Sequence, residues 1–383
     1  MTSFSLKDKS SICGVCNRKI NKNNLFITCS LCNDKIHCRC NTFDYETYKQ
    51  LITIPNSQIF CINCKEDNIP FQKLHEHQFQ VICETGVCKD SEHLNISIAN
   101  NYLKKYFDDI NNLSISSSDD DFLLANLNCK YYDIPSFVKF KKHNKQLSIF
   151  HLNIASLHKH KDELETLFEM LECNFDFVGL TETKIKEKTP TFNIDLHGYK
   201  PPFSTPTDAD KGGAILYIKN HFVTNRRTDL EIFLYKSKEL ESVFVEICNN
   251  NQRNIVVGCI YRHPNMDLKL FNTQYFHPLL SKLDYESKRI FFVGDFNIDL
   301  MKVDHNPETT TFFDRLTSSL LVPHIIHPTR YTSHSKTLID NIFSNSTNFL
   351  EDISGNLTVA ISDYLPQFLF MDYEASPQKK NIN

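Results

Sequence analysis

The chain has 383 residues, 41% of them hydrophobic and 23% charged, with a net charge of −4 at neutral pH. That length exceeds what one compact core usually organises, so two domains are predicted. No apolar run approaches the ~20 residues needed to cross a bilayer, so no membrane association is expected. The 9 glycines are too few to suggest glycine-built loops for a nucleotide cofactor.

The N-terminus, MTSFSLKDKS, has no hydrophobic segment, and no secretory signal is predicted. A reducing compartment follows, in which 14 cysteines suggest metal ligands before disulfides. Residues 1–66 hold nine Lys/Arg against five Asp/Glu. Such a basic head suits nucleic acid or an acidic partner. From residue 147 onward the count is 24 against 30, and carboxylates that hold a metal account for part of that excess.

Eight of the cysteines precede residue 65. Seven of these and one histidine form paired spacings: Cys13 and Cys16, Cys29 and Cys32, His37 and Cys40, Cys61 and Cys64. Each pair fits a tight turn that presents two soft ligands to a tetrahedral Zn²⁺, so eight ligands make two closed structural sites. The segments between pairs supply little apolar surface, and the metal is expected to carry most of the folding energy. Cys38 breaks the spacing and is read as a bystander. The C4HC3 order resembles a PHD finger (residues 10–66). That resemblance implies interleaved pairing: Cys13, Cys16, His37 and Cys40 on one zinc, and Cys29, Cys32, Cys61 and Cys64 on the other. It also implies a histone tail or other protein as partner. PHD fingers usually carry tryptophan two residues before the seventh ligand, where this chain has Ile59. Phe26, Phe43, Tyr45 and Phe60 read as small-core residues rather than a methyl-lysine cage.

Residues 67–146 read as a connecting segment, partly disordered with short helices. Tyr102 to Ile110 has helical apolar spacing. Ser114 to Asp121, SISSSDDD, cannot bury surface. His75, His77, Cys83 and Cys88 match no zinc spacing. This segment is expected to keep the two folded units apart.

From Leu147 the texture alternates apolar strands with amphipathic helices. Strands are predicted at Leu147–Leu152, Phe175–Leu180, Ala214–Ile218, Val243–Cys248, Ile255–Ile260, Ile290–Val293 and Leu357–Ile361. Helical stretches lie near Asp267–Leu283 and Thr309–Leu320, and Leu164, Leu167, Phe168 and Leu171 share one helical face. The pattern fits an α/β domain over 147–372 with two packed β-sheets flanked by helices, a four-layer αββα sandwich, before a tail at 373–383. Polar residues fall at the strand ends: Glu182, Tyr261 with Arg262, Asp295 with Asn297, and Ser362 with Asp363. Carboxylates and amides without nearby thiols or imidazoles suit a hard ion such as Mg²⁺ and phosphoryl chemistry. Taken singly, Glu182 reads as a solvated strand end, Asp295 and Asn297 as a turn, and Asp340 as a helix cap.

Taken in order, HLNIASL (151–157), LTETK (180–184), IYRHP (260–264), VGDFNIDL (293–300), HPTR (327–330), KTLIDNIFSN (336–345) and ISDYLPQFLF (361–370) resemble the endonuclease/exonuclease/phosphatase superfamily, which includes apurinic endonucleases. With a PHD-like finger upstream and CKYYDIPSFVKF (129–140) leading in, the chain resembles a non-LTR retrotransposon polyprotein of the L2/CR1-like branch. The resemblance implies a DNA-nicking endonuclease working in the nucleus. It implies that Glu182 ligates Mg²⁺ and Asn153 helps bind the metal-linked phosphate. Tyr261 would donate to a phosphate oxygen, and Arg262, Thr329 and Arg330 would contact phosphate or DNA. Asp295 and Asn297 would position or activate water, and Asp363 would assist. Asp340 would orient a histidine at position 364. This chain has Tyr364 there. A phenol with an ordinary pKa near 10 stays protonated at neutral pH, where an imidazole titrates. Impaired cleavage is therefore expected. The reverse transcriptase that follows in a complete element is absent from the sequence, which suggests a truncated or decayed copy or a host-retained fragment. Three readings stay open: an impaired nicking enzyme, a zinc-finger protein that holds DNA or chromatin without cutting, and an element remnant.

Overall fold

The computed structural model describes residues 12–21, 24–30, 32–54, 57–65, 128–141, 147–190, 194–207, 210–249, 253–332, 335–345, 352–359 and 361–371. The helix expected over Tyr102 to Ile110, the acidic stretch at Ser114 to Asp121 and the set His75, His77, Cys83, Cys88 lie outside these residues. Among the described residues, no helix is long and apolar enough to cross a membrane.

The N-terminal unit is built from very little. Strands β1 (Phe26–Thr28) and β2 (Lys35–His37) form an antiparallel hairpin. Helix α1 (Tyr45–Thr53) starts where the Asp44 carboxylate accepts from Thr47 N at 2.8 Å, an N-cap that satisfies one orphan donor. A short helix α2 (Ile62–Lys65) closes it. Its buried apolar content is Ile20, Ile27, Ile36, Leu51 and Phe60 among the cysteines, too small a core to hold without metal or further packing.

The α/β body has two large sheets. One has seven strands in the spatial order β3 (Asn128–Tyr132), β16 (Ile353–Leu357), β17 (Gln367–Met371), β4 (Leu147–Asn153), β5 (Phe177–Thr181), β7 (Ala214–Ile218) and β6 (Phe203–Thr205). The other has six: β12 (Val322–Pro323), β15 (Asp340–Ser344), β11 (Arg289–Asp295), β10 (Ile255–Arg262), β9 (Leu240–Cys248) and β8 (Val223–Arg226). Strands β4, β5, β7 and β10 are buried along their whole length, as strands covered on both faces must be. Ile149, Phe177 and Leu216 of the first sheet share one core with Val243, Val257 and Val293 of the second, and with Leu279, Phe312 and Leu316 of helices α5 (His277–Asp284) and α6 (Pro307–Ser318). The other face of the first sheet packs Phe150 and Val178 against Phe137 of α3 (Ile134–Lys141) and Leu164, Leu167 and Phe168 of α4 (Leu157–Met170). Two sheets packed with helices are what the alternating pattern predicts. A separate hairpin, β13 (Arg330–Tyr331) and β14 (Lys336–Thr337), stands near the strand ends.

Three expectations change. The body begins upstream of Leu147, because β3 pairs in parallel with β16 and α3 joins the outer core. A short edge strand whose partner lies far along the chain leaves no local signal. The last predicted strand, Leu357–Ile361, is instead the end of β16 followed by a loop. Val359 and Ile361 are buried there against the outer core, so a packed loop imitates a strand. Finally, the finger is not separate. Phe60 is 1% exposed, with ring centroids 5.3 Å from Tyr131 and 4.9 Å from Tyr331. Leu365 of the body belongs to the finger's own core. Gln58 N donates to Thr358 O at 2.8 Å, and Ser57 bridges Val359.

Candidate active site and metal centres

Strand register brings the polar residues together. Tyr261 of β10 is the parallel partner of Asp295 of β11, which is the antiparallel partner of Asp340 of β15. Asn153 ends β4 beside Thr181 of β5, and Glu182 follows at φ +50. A positive φ at glutamate is an uncommon conformation that surrounding structure must hold. Gly294 precedes Asp295 because a Cβ there would lie 1.9 Å from the Ile260 carbonyl oxygen.

Asn153 is the hub. Its Nδ2 donates to Asp295 Oδ2 at 2.8 Å and to Glu182 Oε1 at 3.3 Å, and its Oδ1 accepts from Ala155 N at 3.1 Å. Tyr261 Oη donates to the same Glu182 Oε1 at 3.1 Å. Asn297 N donates to Asp295 Oδ1 at 2.9 Å. Glu182 is only part-buried, and its Oε2 accepts no hydrogen bond among the described residues. One fixed carboxylate oxygen and one free one, beside amides and a second carboxylate, fit a hard divalent cation.

Burial dominates the electrostatics. It pushes Asp295 up to about 7, against the pull of the N–H groups of Asn153 and Asn297, and the Glu182 charge adds to the rise. Burial also raises Asp340 well above the usual carboxylate range, and the neighbouring Asp295 charge adds to it. Tyr364 is raised by burial and then by the charges of Asp295 and Asp340. Its phenol therefore stays protonated and cannot serve as a base near neutrality.

Asp340 is held on one side only. Thr329 Oγ1 donates to its Oδ2 at 2.7 Å, while its buried Oδ1 has no hydrogen-bond partner among the described residues. Arg330 lies over the Tyr364 ring, its guanidinium carbon 4.9 Å from the centroid, and bridges Tyr364 through backbone pairing.

Two expected phosphate contacts give way. Arg262 is 3% exposed, and its Nε, Nη1 and Nη2 donate to the carbonyls of Phe296, Met266 and Asn297 at 2.7, 2.6 and 2.8 Å. It pins the loop that carries Asn297 and cannot also face DNA. Thr329 is fully buried, with its hydroxyl committed to Asp340. Asp363 is exposed and bonds to none of the described residues. Sequence reasoning named Ser362 at a strand end without a role; its hydroxyl donates to Asn153 O at 2.6 Å and accepts from Tyr364 N at 3.2 Å. It also missed buried Glu241, which accepts from Thr207 Oγ1 at 3.0 Å and lies 3.0 Å from His263 Nε2. A carboxylate at the head of the apolar run LESVFVEI was the available signal.

In the finger, Cys13, Cys16, His37 and Cys40 form one group, and Cys29, Cys32, Cys61 and Cys64 another, with ligand atoms in each within 4.8 Å of one another. Zn–S bonds of ~2.3 Å at tetrahedral angles place two sulfurs about 3.8 Å apart. Cys32 and Cys61 Sγ are 3.8 Å apart. Cys16 Sγ and His37 Nδ1 are 3.5 Å apart. Both groups can hold zinc. Cys38 joins neither and is buried.

Two facing sheets with a carboxylate-and-amide cluster at their strand ends define the nuclease and phosphatase class of α/β proteins. The model of the endonuclease/exonuclease/phosphatase family matches residues 144–363, more than half of the chain, and the chain belongs to that family. Its members are typically dependent on divalent metal. No curated protein matches. Solved structures that resemble it include the endonuclease domain of TRAS1, a telomere-specific non-LTR retrotransposon, at 14% identity and TM-score 0.43, covering 60% of this chain and 99% of that one. The AP endonuclease LMAP from Leishmania major is similar at 15% identity and TM-score 0.47, covering 66% and 98%. A 3'-5' exonuclease, NExo, from Neisseria meningitidis stands at 15% and 0.45, covering 59% and 100%. At these identities residue roles do not transfer.

Proposed function

We propose that the chain is a Mg²⁺-dependent, retrotransposon-type DNA endonuclease of the L2/CR1-like kind. It nicks one phosphodiester, works in the nucleus, and is weakened by Tyr364. The observation that supports this reading is the single cluster of Asn153, Glu182, Tyr261 and Asp295 beside an Asp340 whose Oδ1 has no partner. That orphan oxygen is what remains when an imidazole is removed from such a site.

Glu182 would hold the cation, with Asn153 and Asp295 alongside, and the ion would polarise a phosphate oxygen. Asn153 orients both carboxylates through one amide group. Asp295, held by the N–H groups of Asn153 and Asn297, would position or activate the attacking water. Tyr261 Oη gives its one proton to Glu182 Oε1 at 3.1 Å and would steady that carboxylate; a contact to phosphate would require it to turn from Glu182. Arg330 supplies positive charge at the wall formed with Tyr364. Two structural zincs would fold the N-terminal unit as a PHD-type finger with a protein or histone partner. A second reading, DNA holding without cleavage, is favoured by one observation: the raised, protonated phenol of Tyr364.

Incubating the full chain with supercoiled plasmid and Mg²⁺ separates the two, with Asp295→Ala as control. Slow nicking abolished by Asp295→Ala supports the weakened enzyme. Salt-sensitive binding without nicking supports the second reading, because phosphate contacts weaken as salt rises. Neither binding nor nicking removes both.

A further inference from the structure

We propose that the finger is a zinc-dependent buttress of the wall that carries Arg330 and Tyr364, with Phe60 as its positioning residue. The observation is that one short segment does two jobs. Cys61 belongs to the second ligand group, and its N–H donates to Cys29 Sγ at 3.2 Å. Asn41 straddles the segment, giving its Nδ2 to Phe60 O at 2.9 Å and accepting from Ile62 N at 2.7 Å. Ser30 N donates to Ile59 O at 2.8 Å. The backbone of residues 59–62 is thus fixed by the knuckle that a zinc would close.

The Phe60 side chain leaves the finger. It packs against Tyr331 at 4.9 Å and edge-on against Tyr131 at 5.3 Å, and Leu365 fills the same core at 2% exposed. Tyr131 Oη donates to Pro328 O at 3.0 Å and meets the Tyr331 hydroxyl. Tyr331 adjoins Arg330 on β13. Leu365 adjoins Tyr364, and its N–H donates to Thr329 O at 2.8 Å. The finger therefore clamps, through aromatic packing, the two segments that face each other across the Arg330–Tyr364 stack. Loss of zinc would free Phe60 and loosen both.

Amide hydrogen exchange on the full chain tests this without requiring cleavage, so it stands or falls apart from the nuclease reading. Chelating zinc should speed exchange at Leu365 and at β13 at least about tenfold, with Val257 and Phe291 in the sheet interior unchanged. Tyr331→Ala lies in the body, leaves every zinc ligand in place, and should give the same local loss. Tyr331→Phe keeps the ring and should restore protection. Chelation in Tyr331→Ala should add little, since both act on one contact. The chain has no tryptophan, so Phe60→Trp provides a single tryptophan that can be excited apart from the tyrosines. Its emission should be that of a buried ring with zinc and shift red on chelation. Unchanged Leu365 exchange on chelation, or full additivity of chelation and Tyr331→Ala, overturns the proposal.

Discussion

Replacing Tyr364 by histidine is the most direct perturbation of this site. The buried Oδ1 of Asp340 has no partner while Thr329 holds Oδ2 at 2.7 Å. A carboxylate fixed on one side and open on the other is set to orient an imidazole N–H. Leaving a buried acceptor unsatisfied costs about 1–3 kcal/mol. Tyr364 is 7% exposed, and trading its ring for a smaller one gives up a comparable amount of burial, about 1–2 kcal/mol. Thermal stability should therefore change little. Rate should not. A positioned acid, base or cation at a phosphoryl centre contributes about 10²–10⁴ in rate, or about 3–5 kcal/mol at 1.4 kcal/mol per decade. Tyr364→His should raise plasmid nicking by roughly 10²-fold or more. Adding Asp340→Asn to that variant should remove most of the gain. Asp340→Asn alone should hardly change the slow parental rate, because Asp340 has no imidazole to orient. Initial rates on supercoiled plasmid at fixed Mg²⁺ measure all four proteins. If Tyr364→His stays at background while melting temperature and Mg²⁺ titration match the parent, the orphaned Asp340 is not the defect, and the reasoning fails.

Further outcomes follow from other parts of the molecule. Metal analysis of the reduced, zinc-replete chain should give about two zincs, and Cys32→Ala should remove one; one or none in the parent counts against the two-group reading. Arg262→Ala leaves two buried carbonyls and one part-buried carbonyl without donors and should lower stability by about 3 kcal/mol or more, read from the urea midpoint; a shift under about 0.5 kcal/mol would mean the loop is held otherwise. Burial pulls His151 down to about 4 and His324 to about 3, so both are neutral in the folded chain. The unfolded chain takes up protons below ~6.5, and stability present above that pH is lost as pH falls. For His151 the loss reaches about 3 kcal/mol near pH 4. Urea midpoints between pH 7 and 5 should fall, and His151→Gln should flatten the slope; an unchanged slope would show that His151 is not buried as a neutral ring.

What was legible in the sequence was what period and motif encode. Ala214–Ile218 is a buried apolar run, and its strand has the predicted bounds. The order of HLN, TET, VGDFN and the aspartate of LIDN singles out Asn153, Glu182, Asp295 and Asp340, which strand register and hydrogen bonds bring together. The paired spacing gave eight ligands; their interleaved grouping came from the resemblance to a PHD finger, and the two groups of ligand atoms match it. Non-local pairing was not legible. Strand β3 is an edge strand that takes its partner from the other end of the body, and Val359 and Ile361 are apolar because a loop is buried, not because it is a strand. Side-chain commitment was not legible either. IYRHP and HPTR mark Arg262 and Thr329, but only their surroundings show that one holds a loop and the other holds Asp340. The docking of Phe60 had no sequence signal beyond its being aromatic next to a ligand.

The charge balance of the site explains why one substitution weighs so heavily. Glu182, Asp295 and Asp340 converge on one row of strand ends, and two of them are held above the ordinary carboxylate range. Carboxylates this close resist ionising together unless cations answer them. Arg330 is the cation that lowers both Asp295 and Asp340, yet its guanidinium lies on the Tyr364 ring rather than against either oxygen. An imidazolium at 364 would place positive charge directly on Asp340, return it to the ionised state, and leave Arg330 free to meet phosphate. A divalent ion at Glu182 answers only one end of the row. On the reading proposed above, the site would be short of one positive charge. That shortage lies where the buttressing finger, the hairpin bearing Arg330 and the Ser362–Leu365 loop meet, so the finger's packing and the site's electrostatics act on the same few atoms.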